Sequence, residues 1–123
     1  MIRRVEFLLI GLLAGCGPSL EPTFDAISAE VFVPSCSFGV CHGPDAPQND
    51  LNLSSAEDAW ATLSEAPVDS PMERLVPGDP DSSLLYTTLL ADVDDVERMP
   101  KGGMLEDYQI EAIRQWIEDG AER

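Results

Sequence analysis

Three residues with reactive side chains lie close together in the sequence. Cys36 and Cys41 are separated by four residues, and His42, the sole histidine of the chain, directly follows the second cysteine. Two thiols can oxidise to a disulfide, and thiolates and imidazole nitrogens are ligands for transition metals. A thiolate beside an imidazole is also a nucleophile and its base. The segment 36–42 is therefore the first candidate for a functional site.

The cysteine count restricts how these groups are used. A third cysteine, Cys16, leaves an odd number, which in an exported protein requires a use other than pairing. A Cys36–Cys41 disulfide stays open, because it suits an oxidising compartment and a small chain. A zinc site is disfavoured because two cysteines and one histidine lack a fourth ligand. A catalytic pair of a cysteine nucleophile and a histidine base is disfavoured, because the side chains of adjacent residues rarely face each other as such a pair must.

One segment resembles the haem-attachment signature of c-type cytochromes: Cys36-Ser37-Phe38-Gly39-Val40-Cys41-His42. In that signature two cysteines form thioethers with the porphyrin vinyl groups, and the adjacent histidine ligates the iron. The resemblance implies that Cys36 and Cys41 attach one haem and that His42 is its proximal ligand. The common signature has two residues between the cysteines, whereas this chain has four, a rarer spacing. Gly39 gives the longer loop the backbone freedom it needs.

The N-terminus has the layout of a secretory signal peptide. Arg3 and Arg4 precede an apolar stretch at 5–14, which is far shorter than the roughly 20 residues of a membrane-spanning helix. The tetrapeptide Leu13-Ala14-Gly15-Cys16 resembles the bacterial lipoprotein signal, in which the cysteine sulfur first receives a diacylglycerol and the chain is then cleaved on the N-terminal side of that cysteine. The resemblance implies a signal peptide over 1–15, lipidation of Cys16, and a linker over 16–22. The remaining chain would be exported and lipid-anchored to the cell envelope, facing the periplasm or the cell surface.

Acidic residues dominate the charged positions. The chain of 123 residues carries 7 Lys and Arg against 23 Asp and Glu, a formal net charge of −16. Such a field repels phosphate backbones, which excludes nucleic acid as a partner. Acidic side chains commonly form a solvated exterior, and they also steer association with basic partners. The length fits one domain with a modest core, which a buried prosthetic group would help to fill.

Helical spacing of apolar residues predicts an all-α domain, and no alternating strand pattern competes with it. Thr23 is the predicted N-cap of a first helix, which is expected to end at Pro34. Phe24, Ile27 and Val31 would lie on one face of this helix. This helix leads directly into the cysteine loop.

Three further helices follow in the predicted order. Ser54 and Glu57 form a predicted capping box for a helix to about residue 63. Asp79 and Pro80 predict the cap and first turn of a helix through residue 89. An exposed acidic loop is predicted over 92–103, and the last helix over about 106–119, with Gly120 as its stop.

This order of helix, cysteine-histidine loop, methionine loop and closing helix resembles the class I cytochromes c. The resemblance is closest to the small cytochrome c-like domains of planctomycete and myxobacterial exported proteins. The shared positions are Cys41-His42-Gly43, Leu51-Asn52-Leu53, Val76-Pro77-Gly78-Asp79-Pro80, Ser83, Leu84, Met99-Pro100 and Trp116-Ile117-Glu118-Asp119-Gly120-Ala121. It implies a small cytochrome c-like fold of about four short helices around one haem, over residues 23–123.

The resemblance also implies the second axial ligand and the function. Met99 would be the sixth iron ligand, with Met72 and Met104 as substitutes. The protein would be a monohaem one-electron carrier that serves redox partner proteins. An enzyme is not expected, because peroxidase chemistry needs a distal base and His42 is the sole histidine of the chain. The alternative is a haem-free exported lipoprotein with a Cys36–Cys41 disulfide, acting as a binding or envelope module.

Overall fold

The computed structural model describes residues 15–45, 47–67, 70–92 and 98–123, and these residues form helices and turns without a β-strand. The elements are α1 (Phe24–Ile27) continuing into a π-helix (Ser28–Cys36), a 3₁₀ turn (Gln48–Asp50), α2 (Ala56–Leu63), a second 3₁₀ turn (Pro80–Ser82), α3 (Leu84–Leu90) and α4 (Asp107–Glu118). The all-α prediction is confirmed. The predicted signal peptide, residues 1–15, lies almost wholly outside the described residues. The signal peptide and the bounds of the predicted domain therefore stay predictions.

The first helix begins where the sequence predicts but continues further. Thr23 Oγ1 accepts a hydrogen bond from the Ala26 N–H at 3.3 Å and caps α1. The predicted end at Pro34 is wrong, because the helix widens into π-helical turns that run through the proline to Cys36. Pro34 cannot donate a backbone hydrogen bond, and the five-residue spacing of the π-helix, seen in the Ser37 N–H to Phe32 O bond of 3.1 Å, accommodates it.

The predicted cap of α2 is wrong by one residue. Ser55 is the N-cap: its hydroxyl accepts from the Asp58 N–H at 3.1 Å and donates to the Asp58 carboxylate at 2.8 Å. Ser54 instead donates its N–H and its hydroxyl to Asn52 Oδ1, at 3.0 and 2.6 Å. Because the Ser54 hydroxyl is hydrogen-bonded to Asn52, the neighbouring Ser55 caps the helix instead.

The third predicted helix is divided at Ser83. Asp79 caps the turn Pro80–Ser82, and α3 begins only at Leu84. Ser83 is fully buried, and its hydroxyl accepts from the Val76 N–H at 2.8 Å and lies 2.9 Å from the Asp79 carbonyl oxygen. The Gly78 N–H also donates to the Ile117 carbonyl at 2.7 Å. These bonds join the turn before α3 to the end of α4.

The core lies between α1, α2 and α4. The Phe24 ring is 5.1 Å from Trp60 of α2, 5.6 Å from Trp116 of α4 and 6.3 Å from Phe32, measured between ring centroids. Leu20, within the predicted linker, is buried with this core. The last helix matches its prediction within a residue at each end. None of the helices in the described ranges is long and apolar enough to cross a membrane.

Candidate functional site

The loop between the two cysteines closes on itself. Cys36 ends the π-helix, and its carbonyl accepts from the His42 N–H at 3.1 Å. Within the loop, the Cys41 N–H donates to the Phe38 carbonyl at 3.1 Å. The four intervening residues thus form a turn that projects outward, while Cys36, Cys41 and His42 are brought together at its base.

Gly43 permits this closure. It is buried, and a Cβ atom placed on it would lie 3.1 Å from the Ser37 carbonyl oxygen and 3.3 Å from the Gly39 carbonyl oxygen. Both neighbours are backbone atoms of the loop, so they could not move aside without opening it. Gly39 itself has φ +56°, a conformation that favours glycine. The two glycines therefore serve the shape of the loop.

The His42 ring is fixed through one nitrogen. Its Nδ1 lies 3.1 Å from the Leu51 carbonyl oxygen and 3.2 Å from the Gln48 carbonyl oxygen. Since carbonyl oxygens only accept, Nδ1 carries the proton and donates to both. In the neutral ring Nε2 is then unprotonated and has a free lone pair. This is the state in which histidine binds a metal.

The surroundings favour neutral His42. Burial lowers its pKa below the ordinary value of 6.5, and the nearby Arg74 cation acts in the same direction. The hydrogen bonds to the Leu51 and Gln48 carbonyls act in the opposite direction and only partly offset the burial. The net shift is downward, so the ring stays available as a ligand to a lower pH than a free histidine.

The two cysteines are free thiols in the structure. Burial raises the pKa of Cys36 to about 12, and the nearby Cys41 contributes to the rise. A thiol with so high a pKa remains protonated near neutral pH and is a poor nucleophile. Within the described ranges, no group of three or more Cys, His, Asp or Glu side chains is arranged to hold a metal ion. The raised pKa thus disfavours Cys36 as a nucleophile.

The methionine predicted as second ligand lies on another element. Met99 is half-buried, and its N–H donates to the Thr88 carbonyl of α3 at 3.0 Å. Met72 is also half-buried, whereas Met104 is 75% exposed. The ligand role of Met99 stays a prediction. Residues 93–97, within the predicted acidic loop that precedes it, lie outside the described part of the chain.

One residue near the site was missed in the sequence. Arg74 is only 4% exposed, and its guanidinium donates to the carbonyl oxygens of Thr62 at 2.8 Å, Glu65 at 3.3 Å and Asn49. A charged side chain is rarely buried to this extent. In the sequence, Arg74 stands out only as an isolated basic residue, because no other lysine or arginine occurs between Arg4 and Arg98.

A model of the family described as Planctomycete cytochrome C matches residues 39–103, which is 65 of the 123 positions. The match includes Cys41, His42, Arg74 and Met99, and it begins after Cys36. No curated protein matches the chain, and no solved structure does.

Proposed function

We propose that this chain, which belongs to the planctomycete cytochrome c family, is a monohaem electron carrier on the outside of a bacterial membrane. The family match confirms the resemblance to cytochrome c-like domains of planctomycete type, and membership implies binding of haem c. The chain has one histidine and, beyond Cys16, two cysteines. That set suffices for one covalent haem.

The residues at the site fit this prosthetic group. Cys36 and Cys41 would supply the two thioether sulfurs, and the bond between the His42 N–H and the Cys36 carbonyl keeps the three residues together. The observation that carries the proposal is the position of His42 Nδ1 between two carbonyl oxygens, which leaves Nε2 for the iron. The haem, when bound, supplies one-electron iron chemistry.

The remaining residues act by holding and shielding rather than by catalysis. Met99 would provide the second axial ligand, which leaves no open iron position for a substrate. His42 is the sole histidine, so no second imidazole is present to act as a distal base. A one-electron carrier needs a haem iron with both axial positions occupied and no site for a substrate, and the proposed ligand set meets this need.

Location and partners complete the proposal. Lipidation of Cys16, which is exposed, would hold the domain at the membrane surface. The net charge of −16 would favour redox partners with basic docking surfaces.

The test is covalent haem attachment. The chain from Gly17 onward, exported behind a cleavable signal and co-expressed with a cytochrome c maturation system, should keep its haem stain on a denaturing gel and gain the mass of one haem. Cys36→Ala and Cys41→Ala variants should each lose one thioether, and the double variant should lose the stain. A stain-free chain two hydrogens lighter than the reduced form would instead identify the haem-free, disulfide-bonded module.

A further inference from the structure

We propose that Arg74 is a positioning residue for the axial histidine, because it holds the loop whose carbonyl groups fix the His42 ring. The inference rests on the proposed function. Arg74 does not hydrogen-bond to His42 itself, so its positioning effect must pass through the backbone of residues 48–52, and a variant that keeps the positive charge separates this effect from the direct electrostatic one.

The loop that binds His42 has a backbone that requires external support. Gln48 and Leu51 present the two carbonyl oxygens to His42 Nδ1, while Asn49 and Asp50 between them both have positive φ, 53° and 56°. Such conformations are uncommon outside glycine and persist where the surroundings hold them. The orientation of the two carbonyls therefore depends on what fixes this short segment.

Arg74 fixes one side of the loop. Its Nη2 donates to the Asn49 carbonyl, and its Nη1 donates to the Thr62 and Glu65 carbonyls at the end of α2. The planar guanidinium thus joins the loop to a helix end through donors of fixed direction. The Arg74 carbonyl in turn accepts from the Leu85 N–H of α3 at 3.0 Å, which anchors the arginine backbone.

Thr62 fixes the other side of the same loop. Its hydroxyl accepts from the Asn52 N–H at 3.1 Å and lies 3.0 Å from the Asn52 carbonyl oxygen, next to Leu51. Since Arg74 binds the Thr62 carbonyl, the two supports share one residue. The segment from Asn49 to Asn52 is held at both ends, with the carbonyl of Leu51 between the supports and that of Gln48 just before them.

A lysine at position 74 would keep the charge but could not donate along the same fixed directions. The loop would then sample other conformations, and the His42 Nδ1–H would lose part of its hydrogen bonding. Weaker hydrogen bonding makes the imidazole a poorer donor to iron, which disfavours the ferric state and raises the reduction potential.

The test compares Arg74→Lys and Thr62→Val with the wild-type haem-loaded protein. We expect both variants to retain covalent haem by mass. The His42 Nδ1 proton, followed by NMR, should exchange with solvent faster than in the wild type, because its two carbonyl acceptors are no longer held in place. The reduction potential should rise in both variants. Arg114→Lys is the matched control, because Arg114 lies on the exposed side of α4, paired with Glu111 and Glu118.

Unchanged exchange and potential in both variants, even with lower stability, would show that Arg74 only supports the fold. If Arg74→Lys does not fold, Thr62→Val tests whether support of this loop fixes His42, because it removes the hydroxyl bonds to Asn52 and keeps the carbonyl that Arg74 binds. Unchanged exchange and potential in that variant would overturn the proposal. A wild-type chain that attaches no haem would contradict the proposed function, and that result is seen before any variant is compared.

Discussion

At the residue scale, the two ring nitrogens of His42 have different tasks. Nδ1 is occupied by the Leu51 and Gln48 carbonyls, and Nε2 is left free to be the proposed iron ligand. In the proposed ligand set, the other axial position would be taken by a methionine, whose soft thioether favours ferrous iron. The identity of that methionine is therefore the most direct question about the ligand set.

Met99→Ala should remove the sulfur-to-iron charge-transfer band from the ferric spectrum and lower the reduction potential, because the thioether that favours ferrous iron is lost. The ferric absorption spectrum and a redox titration measure both effects. Met104→Ala is the control, since Met104 is 75% exposed, and its spectrum should match the wild type. A retained band in Met99→Ala, lost instead in Met104→Ala or Met72→Ala, would move the ligand to another methionine.

Gly43→Ala should destabilise the haem-loaded protein by about 1–3 kcal/mol, the usual cost of forcing an extra carbon into a packed site. The added Cβ would lie 3.1 Å from the Ser37 carbonyl oxygen, so the backbone of the cysteine loop would have to shift by a few tenths of an ångström. Urea unfolding gives the free energy, and haem content gives the yield of attachment. Gly103→Ala is the control, because a Cβ there meets only Pro100 Cγ at an ordinary 3.8 Å. Equal effects in the two variants would contradict the steric explanation.

At the element scale, the turn between residues 76 and 83 connects the site to the end of the chain. Ser83 is buried between the Val76 N–H and the Asp79 carbonyl, and Gly78 donates to the Ile117 carbonyl of α4. The motif Val76-Pro77-Gly78-Asp79-Pro80 with Ser83 thus has a packing role. It fixes where α3 begins, and Met99 is hydrogen-bonded to Thr88 of α3.

Ser83→Ala should lower the free energy of unfolding by about 1–3 kcal/mol, because it leaves the Val76 N–H without its acceptor in the interior. Chemical denaturation of the haem-loaded protein measures the change. Ser82→Ala is the neighbouring control: its hydroxyl donates to the Asp79 carboxylate on the surface, so its loss should cost clearly less. A smaller effect at Ser83 than at Ser82 would show that the turn is held by other contacts.

The elements differ in how well the sequence predicts them. The last helix is predictable because Ile113, Trp116 and Ile117 lie on one buried face and Gly120 ends it. Pro34 misleads because a π-helix accommodates a missing donor that an α-helix would not. The cap of α2 moves to Ser55 because Asn52, two residues before Ser54, forms an Asx turn and accepts from both the N–H and the hydroxyl of Ser54. The Asn52 backbone is itself hydrogen-bonded to the Thr62 hydroxyl, ten residues further along the chain, and capping rules contain no such contact.

The same limit applies to the site. Cys36, Cys41 and His42 are conspicuous because their chemistry is local in sequence, whereas Arg74 acts on Asn49 and Thr62 across separate elements. Spacing rules contain no information on such contacts. A lone basic residue in a long acidic stretch is the one signal that the sequence offers for it.

At the scale of the whole molecule, the charge distribution is uneven. The net charge is −16, yet the segment from Val31 to Pro44 contains no Asp, Glu, Lys or Arg. Within it Phe38 and Val40, between the cysteines, are 80% and 83% exposed. An electron-transfer partner approaching the attached haem along this loop would meet an uncharged surface inside a strongly negative field.

The long-range field should nevertheless control encounter rates. Oxidation of the reduced protein by a small cationic complex should slow by about tenfold or more as salt rises from roughly 10 mM to roughly 0.5 M, because screening removes the attraction. An anionic oxidant of similar size should react faster over the same range, since screening removes the repulsion. Stopped-flow absorbance at the haem band measures both rates. If neither rate depends on salt, the uncharged segment around the cysteines governs the encounter, and selection of basic partners by the net charge is contradicted.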